Sequence, residues 1–343
     1  MLKKLIIFGV ILLLVGGCEE EVKNNITKAG QEPEQIVNEA QEQKILIKEE
    51  QNPEELYQIG WSYYSGEGKP QNYKEAVKYW TKAADKGFPS AQYNLGIMYE
   101  NGLGVFQDYK KALEWYIKAG NQGFAEAENN LGVMYVSGKG VNTNYAQAFK
   151  WYLKASDHGH AEAQFNIGMM YVHGQGVNKD EIEAYKWFHK AAEAGDIDAM
   201  WILAYEYYNG KIFPQNIPEA FKWNLKAANA GHLDAIHTLA FSYYTGRGTS
   251  QDHAEAFKWY LKAAKAGRTD AMNNVALMYA TQDGVFKDYI EACAWYAVSI
   301  AMGDSVGVQN RNKILELLNA YQQQQAEERA NNLQSDIYEK MNP

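Results

Sequence analysis

The sequence predicts an all-α protein, an α/α superhelical solenoid of seven 36-residue helix-turn-helix repeats with a C-terminal capping helix region. Three observations predict it. Glycine returns every 36 residues without a slip, at Gly87, Gly123, Gly159, Gly195, Gly231, Gly267 and Gly303. A short side chain able to cap a helix returns at Asn72, Asp108, Asn144, Asp180, Asn216, Asp252 and Asp288. Seven residues beyond each cap comes an aromatic, as Tyr79, Trp115, Trp151, Trp187, Trp223, Trp259 and Trp295. A unit of this size cannot bury its apolar face alone, so copies in register stack and share a core.

The chain opens on Lys3 and Lys4, followed by an apolar run from Leu5 to Val15. Such a run is too short for a comfortable membrane span and reads as a secretory signal. It closes on Val15, Gly16, Gly17 and Cys18, which resembles the lipobox of bacterial lipoproteins. That resemblance implies cleavage before Cys18, acylation of its thiol and attachment in the bacterial envelope. Glu19 in place of Asp implies the outer membrane, with the protein facing the periplasm. An ordinary cleaved signal with an incidental thiol is the alternative. Residues 1–18 are therefore read as signal peptide and anchor. Residues 19–52, rich in Glu, Gln, Lys and Asn, read as a flexible polar tether with a reach of roughly 30 Å. A transient helix is expected within it from Pro33 to Glu50.

Residues 53–303 hold the repeats, each read as helix, glycine-containing loop, helix and tight turn. In the second copy, Ser90 to Asn101 places Ala91, Leu95, Met98 and Tyr99 at helical spacing, and Gly102 and Gly104 break the helix. Asp108 opens the next helix, whose apolar side is Ala112, Leu113, Trp115, Tyr116 and Ala119. Gly123 ends it in the left-handed conformation. Glu75, Glu183, Glu219, Glu255 and Glu291 stand three residues after their caps, a capping-box pattern. Ala76, Ala112, Ala148, Ala184, Ala220, Ala256 and Ala292 mark a position where a larger side chain would part the helices. The aromatic column beside it reads as scaffold core rather than as a stripe for stacking sugars. Lysines at 82, 118, 154, 190, 226 and 262 lie near helix C-termini, where a cation suits the dipole. With Glu183 beside Lys186 and Glu219 beside Lys222, they read as a solvated face and not as a polyanion site. Copy five departs in its loop, with Gly210, Lys211, Ile212, Pro214 and Pro218, and copy seven carries Gln282 and Gly284. Residues 304–343 read as closing helices that cover the last core edge.

The columns quoted from copy two, with Gly96, resemble the Sel1-like repeat, a relative of the tetratricopeptide repeat. The resemblance implies an interaction scaffold with the first helices lining a concave face. On those helices the residues at i, i+4 and i+7 vary from copy to copy, and the variable members are the candidate contacts with a protein or peptide partner: Tyr57, Tyr64, Tyr93, Asn129, Phe165, Trp201, Tyr208, His237, Tyr244 and Asn273. The middle members Trp61, Ile97, Val133, Met169, Tyr205, Phe241 and Leu277 are expected to pack between units. A neighbouring column of mostly amides, at Gln58, Asn94, Asn130, Asn166, Thr238 and Asn274 with Ile202 breaking it, either clamps a peptide backbone or bonds to adjacent loops.

Charge and motifs exclude other classes. A net charge of −9 opposes duplex nucleic-acid binding, which draws its affinity from neutralised phosphates. No nucleophile elbow, zinc-protease helix, P-loop or dinucleotide fingerprint occurs, so no catalytic residue, cofactor or metal is expected. His158 and His160 stand too close at a turn to suggest a metal site. Some cysteine-rich Sel1-like proteins have been linked to β-lactam hydrolysis, but they pair cysteines within each repeat, whereas here the only thiol besides Cys18 is Cys293, read as buried. The expectation is a non-enzymatic, lipid-anchored scaffold. A surface factor that meets a host or neighbouring cell and a wall-binding or hydrolytic module are its alternatives. Oligomeric state is left open.

Overall fold

The computed structural model of the protein describes residues 52–341, so Cys18 and the tether as far as residue 51 lie outside the described residues. The described residues form sixteen α-helices and no strand. They fall into two compact units, one ending at His158 and the other beginning at Gly159.

The first unit contains three hairpins: α1 (Pro53–Ser65) with α2 (Tyr73–Asp85), α3 (Pro89–Asn101) with α4 (Tyr109–Gly120), and α5 (Ala125–Ser137) with α6 (Tyr145–Asp157). The second contains four: α7 (Ala161–His173) with α8 (Glu181–Glu193), α9 (Ile197–Asn209) with α10 (Ile217–Asn229), α11 (Leu233–Thr245) with α12 (His253–Lys265), and α13 (Thr269–Thr281) with α14 (Tyr289–Ala301). Two further helices, α15 (Val308–Leu315) and α16 (Ala320–Met341), pack on α14. Within each unit a hairpin's two helices pair, and its second helix packs on the first helix of the next hairpin.

All seven expected caps form. Asn72 Oδ1 accepts the Glu75 amide at 3.2 Å, and Asp108 Oδ1 accepts those of Lys110 and Lys111 at 3.1 Å; the other five do likewise. The glutamates of the capping-box pattern turn outward instead, Glu75, Glu183, Glu219 and Glu255 each meeting the lysine three residues on at 2.6–3.0 Å. Glu291 pairs with Arg329 of α16 at 2.6 Å. A cation one turn away attracts a carboxylate that the macrodipole of the helix N-terminus already stabilises.

The second glycine of the loop serves stacking. A β-carbon at Gly104 would fall 2.5 Å from the carbonyl carbon of Tyr73 in the preceding hairpin, so only glycine lets the loop sit there. Copy five, which lacks that glycine, builds its loop differently. Buried Glu206 occupies the register position of Met98 and Met134, and its Oε1 accepts the amides of Ile212 and Phe213, the latter at 3.1 Å. Burial, with Glu206 nearby, pushes the Tyr185 phenol up to about 12.

The aromatic column is not the innermost one, contrary to the expectation from sequence. Tyr79, Trp115, Trp151, Trp187 and Trp259 are half-buried, and only Trp223 and Trp295 are buried. The core stripe passes through the next residue, because Ala76, Trp80, Ala83 and Ala84 align at i, i+4, i+7 and i+8 while position 79 lies at the stripe's edge. The lysine column covers the tryptophans: Lys118 lies 3.8 Å from the Trp115 centroid and Lys154 3.9 Å from that of Trp151. Those lysines thus serve as cation–π partners besides suiting the helix terminus. At the C-terminus Ala326, Ala330, Leu333 and Ile337 of α16 complete the core around Trp295, Tyr296 and Cys293. Cys293 is buried as expected, and desolvation raises its thiol pKa.

Candidate functional site

Within a unit, the first helix of a hairpin has one edge turned toward its second helix and another toward the neighbouring hairpin. The variable residues at i and i+7 lie on those edges and are partly occupied by the fold. In the first unit, Tyr57 stands 5.2 Å from Phe88 and Tyr64 5.4 Å from Trp80. Tyr93 lies 5.8 Å from Tyr116 and 5.2 Å from Phe124, and Asn129 is buried. In the second unit, Phe165 packs 5.5 Å from Phe188, Trp201 stacks on His232 at 5.2 Å, and Tyr244 stacks on His253 at 4.8 Å. Asn273 donates from Nδ2 to Asp304 at 2.9 Å. His237 faces Tyr260, Asn274, Asp234, Arg268 and Asp270, and burial lowers its pKa although the Asp270 carboxylate stands 3.6 Å away.

Of the middle members, expected between units, Ile97 and Met169 are half-buried against the core, and the other five are open. Trp61, Val133, Tyr205, Phe241 and Leu277 are all exposed, Tyr205 at 60%. Neighbouring helices approach over the flanking positions i and i+7, which leaves the side chain between them facing outward. These are the residues that sequence reasoning missed as surface. Their signal was present in the sequence, since an apolar residue at that position in every copy fits a shared contact face as well as a buried seam.

Two cavities bring candidate residues together. In the first unit a hollow of about 260 Å³ gathers Tyr64 and Tyr93 with Trp61, Ile97 and Asn94, whose Nδ2 is buried with no hydrogen-bond partner among the described residues. In the second unit a cavity of about 310 Å³ between α9, α10 and α11 gathers Trp201 and Tyr208 with Tyr205, Phe221, Phe241 and Arg247. Arg247 donates to the Tyr208 hydroxyl, and its guanidinium lies 5.7 Å from the Phe241 ring centroid. Five aromatic side chains around one opening, with a cation beside them, have the composition of an interface hot spot. The amide column is divided: Asn130 contacts the Tyr116 phenol and Asn274 meets His237, while the Nδ2 of Asn94 has no partner among the described residues. His160 and His232 cap their helices, each accepting a backbone amide on Nδ1 at 3.2 Å. Among the described residues no three His, Cys, Asp or Glu side chains converge as metal ligands, and no helix is long and apolar enough to cross a membrane.

The Sel1 repeat matches residues 56–88, 89–124, 125–160, 161–196, 197–232, 233–267 and 269–304. The chain belongs to the Sel1 repeat family. Sel1 repeat proteins are protein–protein interaction scaffolds. Among solved structures, a Sel1 repeat protein from Oxalobacter formigenes is 36% identical with a TM-score of 0.59, over 63% of this chain and 89% of that one. A protective antigen present in uropathogenic Escherichia coli strains, described as displaying an SLR fold, is 24% identical with a TM-score of 0.32, over 95% and 94% of the two chains. An immunity protein from Pseudomonas aeruginosa is 22% identical with a TM-score of 0.37, over 54% of this chain and 70% of that one. Comparison with curated proteins finds no match. The repeat assignments coincide with the hairpins seen here, each spanning one first helix, one loop and one second helix.

Proposed function

We propose that this Sel1 repeat protein is a non-enzymatic adaptor, tethered in the bacterial envelope by lipid on Cys18, that captures a protein partner on the aromatic cavity of its second unit. The observation that carries the reading is the convergence of Trp201, Tyr205, Tyr208, Phe221 and Phe241 on one opening. Aromatic side chains present large contact area at little conformational cost, and exposed clusters of them are where a partner gains most on burial. The order of Lys3, Lys4, the apolar run and Gly16-Gly17-Cys18 supports the anchor. The polar segment from 19 to 52 gives the repeats room to reach a partner away from the bilayer.

Chemical crosslinking in native envelopes, followed by identification of the protein joined to the repeats, tests the reading. A specific partner captured by the wild type and lost in the Tyr205→Ala, Phe241→Ala double variant is the expected result. Capture unchanged in that variant would remove this surface from consideration.

A further inference from the structure

Six of the seven repeats carry a buried aromatic ring on the second helix, at Trp80, Tyr116, Tyr152, Phe188, Tyr260 and Tyr296, each at most 3% exposed. The remaining member of that column is Asn224. The second unit's 310 Å³ cavity lies at this position, and Asn224 is one of its lining residues. Asn224 is 3% exposed, yet neither its Nδ2 nor its Oδ1 has a hydrogen-bond partner among the described residues. A buried amide left wholly unpaired is costly, and nothing bonds it into its present orientation.

Repeat two shows what the column ordinarily holds. There the Tyr116 ring lies against Gly96, its hydroxyl donates to Glu100 at 2.9 Å, and Asn130 also bonds to the phenol. One hundred and eight residues on, the register partners of Glu100 and Asn130 are Tyr208 and Thr238, and both line the cavity. Repeat five therefore keeps polar groups beside the space and its apolar walls, carries Ala204 where repeat two has Gly96, and lacks the ring.

We infer that this cavity receives an aromatic side chain, foremost the phenol of a tyrosine, from a polypeptide partner, which supplies in trans the ring that every other repeat supplies in cis. The inference rests on the partner reading above and names the chemistry of its anchor. A phenol both donates and accepts one hydrogen bond, which matches the two unpaired atoms of Asn224; an indole matches one and a phenyl ring neither. The chain's own tether does not fill the role, because residues 19–51 contain no Phe, Tyr or Trp. Exposed Arg247 beside the opening favours a carboxylate next to the inserted tyrosine.

The test is titration of the full chain, in detergent, with N-acetyl-L-tyrosinamide, followed by saturation-transfer NMR. Saturable binding is expected, with N-acetyl-L-phenylalaninamide about tenfold weaker for want of the hydroxyl. Asn224→Tyr restores the ring and should abolish binding while keeping helicity and melting no lower than wild type. Repeats six and seven show that Tyr260 and Tyr296 are accommodated with Ala240 and Ala276 where repeat five has Ala204. Asn224→Leu keeps the space without the amide and should bind both probes equally; this comparison decides the matter if the tyrosine variant fails to fold. No saturable binding by wild type at millimolar probe, or undiminished binding by a folded Asn224→Tyr, overturns the inference. So does a concentration-dependent dimer that Phe106→Ala dissolves and that excludes the probe, since Phe106 is 97% exposed and a second copy would then be the occupant. Loss of partner capture in the Tyr205→Ala, Phe241→Ala variant without any tyrosinamide binding leaves the adaptor function standing and rejects the phenol site alone.

Discussion

The ring of Tyr116 lies against the backbone of Gly96, so close that a β-carbon there would stand 2.5 Å from Cδ1. The contact recurs as Gly168 with Phe188, at 2.5 Å from Cε1. The glycine admits the ring, and the ring fills the hairpin. Gly96→Ala should therefore destabilise the first unit by about 1–3 kcal/mol through overpacking. Ala204→Gly in repeat five, where no such ring presses, should cost no more than about 1 kcal/mol, the ordinary cost of glycine in a helix. Urea unfolding of both variants checks the contrast, and equal losses would contradict it.

The caps make a second expectation. Asp108 Oδ1 holds two amides that no helical carbonyl can reach. Asp108→Ala should cost about 1 kcal/mol, and Asp108→Asn should recover most of it. Thermal melts followed by circular dichroism read both.

The exposed and stacked aromatics should separate. Trp201 rests on His232, so its removal disturbs packing as well as surface, whereas Tyr205 projects into solvent. Tyr205→Ala is expected to weaken partner capture by about 2 kcal/mol, roughly 30-fold, at unchanged melting temperature. The Trp201→Ala, Tyr208→Ala double variant should abolish capture at retained helicity, with a lower melting temperature. Retained capture in either would place the partner elsewhere.

Acid should loosen the second unit in two stages. Burial holds His237 below its ordinary pKa of 6.5, so the unfolded chain takes up a proton that the folded chain resists. The stability this site retains above pH 6.5 is lost as pH falls through that value toward the lowered folded pKa. Asp270 is shifted the same way. Burial would raise it, but the hydrogen bond from Arg268 at 2.8 Å and the charges of His237 and Arg268 hold it below 3.8. Its contribution is present above pH 3.8 and is lost as pH falls through the depressed folded value. Melting temperature recorded between pH 8 and pH 3 should fall in both windows, and His237→Gln should remove the upper step and shrink the lower one, because the His237 charge helps to hold Asp270 down.

Cys18→Ser tests the anchor directly. The variant should leave the membrane fraction for the soluble one after envelope fractionation, since without a thiol there is no acylation site. Continued sedimentation with membranes would refute lipidation.

Much of this fold is legible in the amino-acid order because it is local. A cap such as Asp108, a left-handed glycine such as Gly123 (φ 80°) and an i, i+4 alanine stripe act within one or two turns. Repeated seven times, they set helix boundaries with little interference from distant contacts. Even the exceptions are local: Gln282 takes φ 62° where most copies have glycine.

What the order of residues determined alone is thus the all-α repeat, its register, its caps and its closing helices. Only the tertiary structure decided which columns face water. Trp61, Val133, Tyr205, Phe241 and Leu277 project outward because neighbouring helices close over the flanking positions, and most of the tryptophan column becomes a lysine-covered edge because the core stripe passes one residue beyond it. The tertiary structure also showed that Asn224, one polar residue in a column of rings, leaves an open and unpaired hollow. Burial is a property of the packed neighbours of a side chain, and neighbours on different hairpins are set by stacking rather than by spacing along the chain.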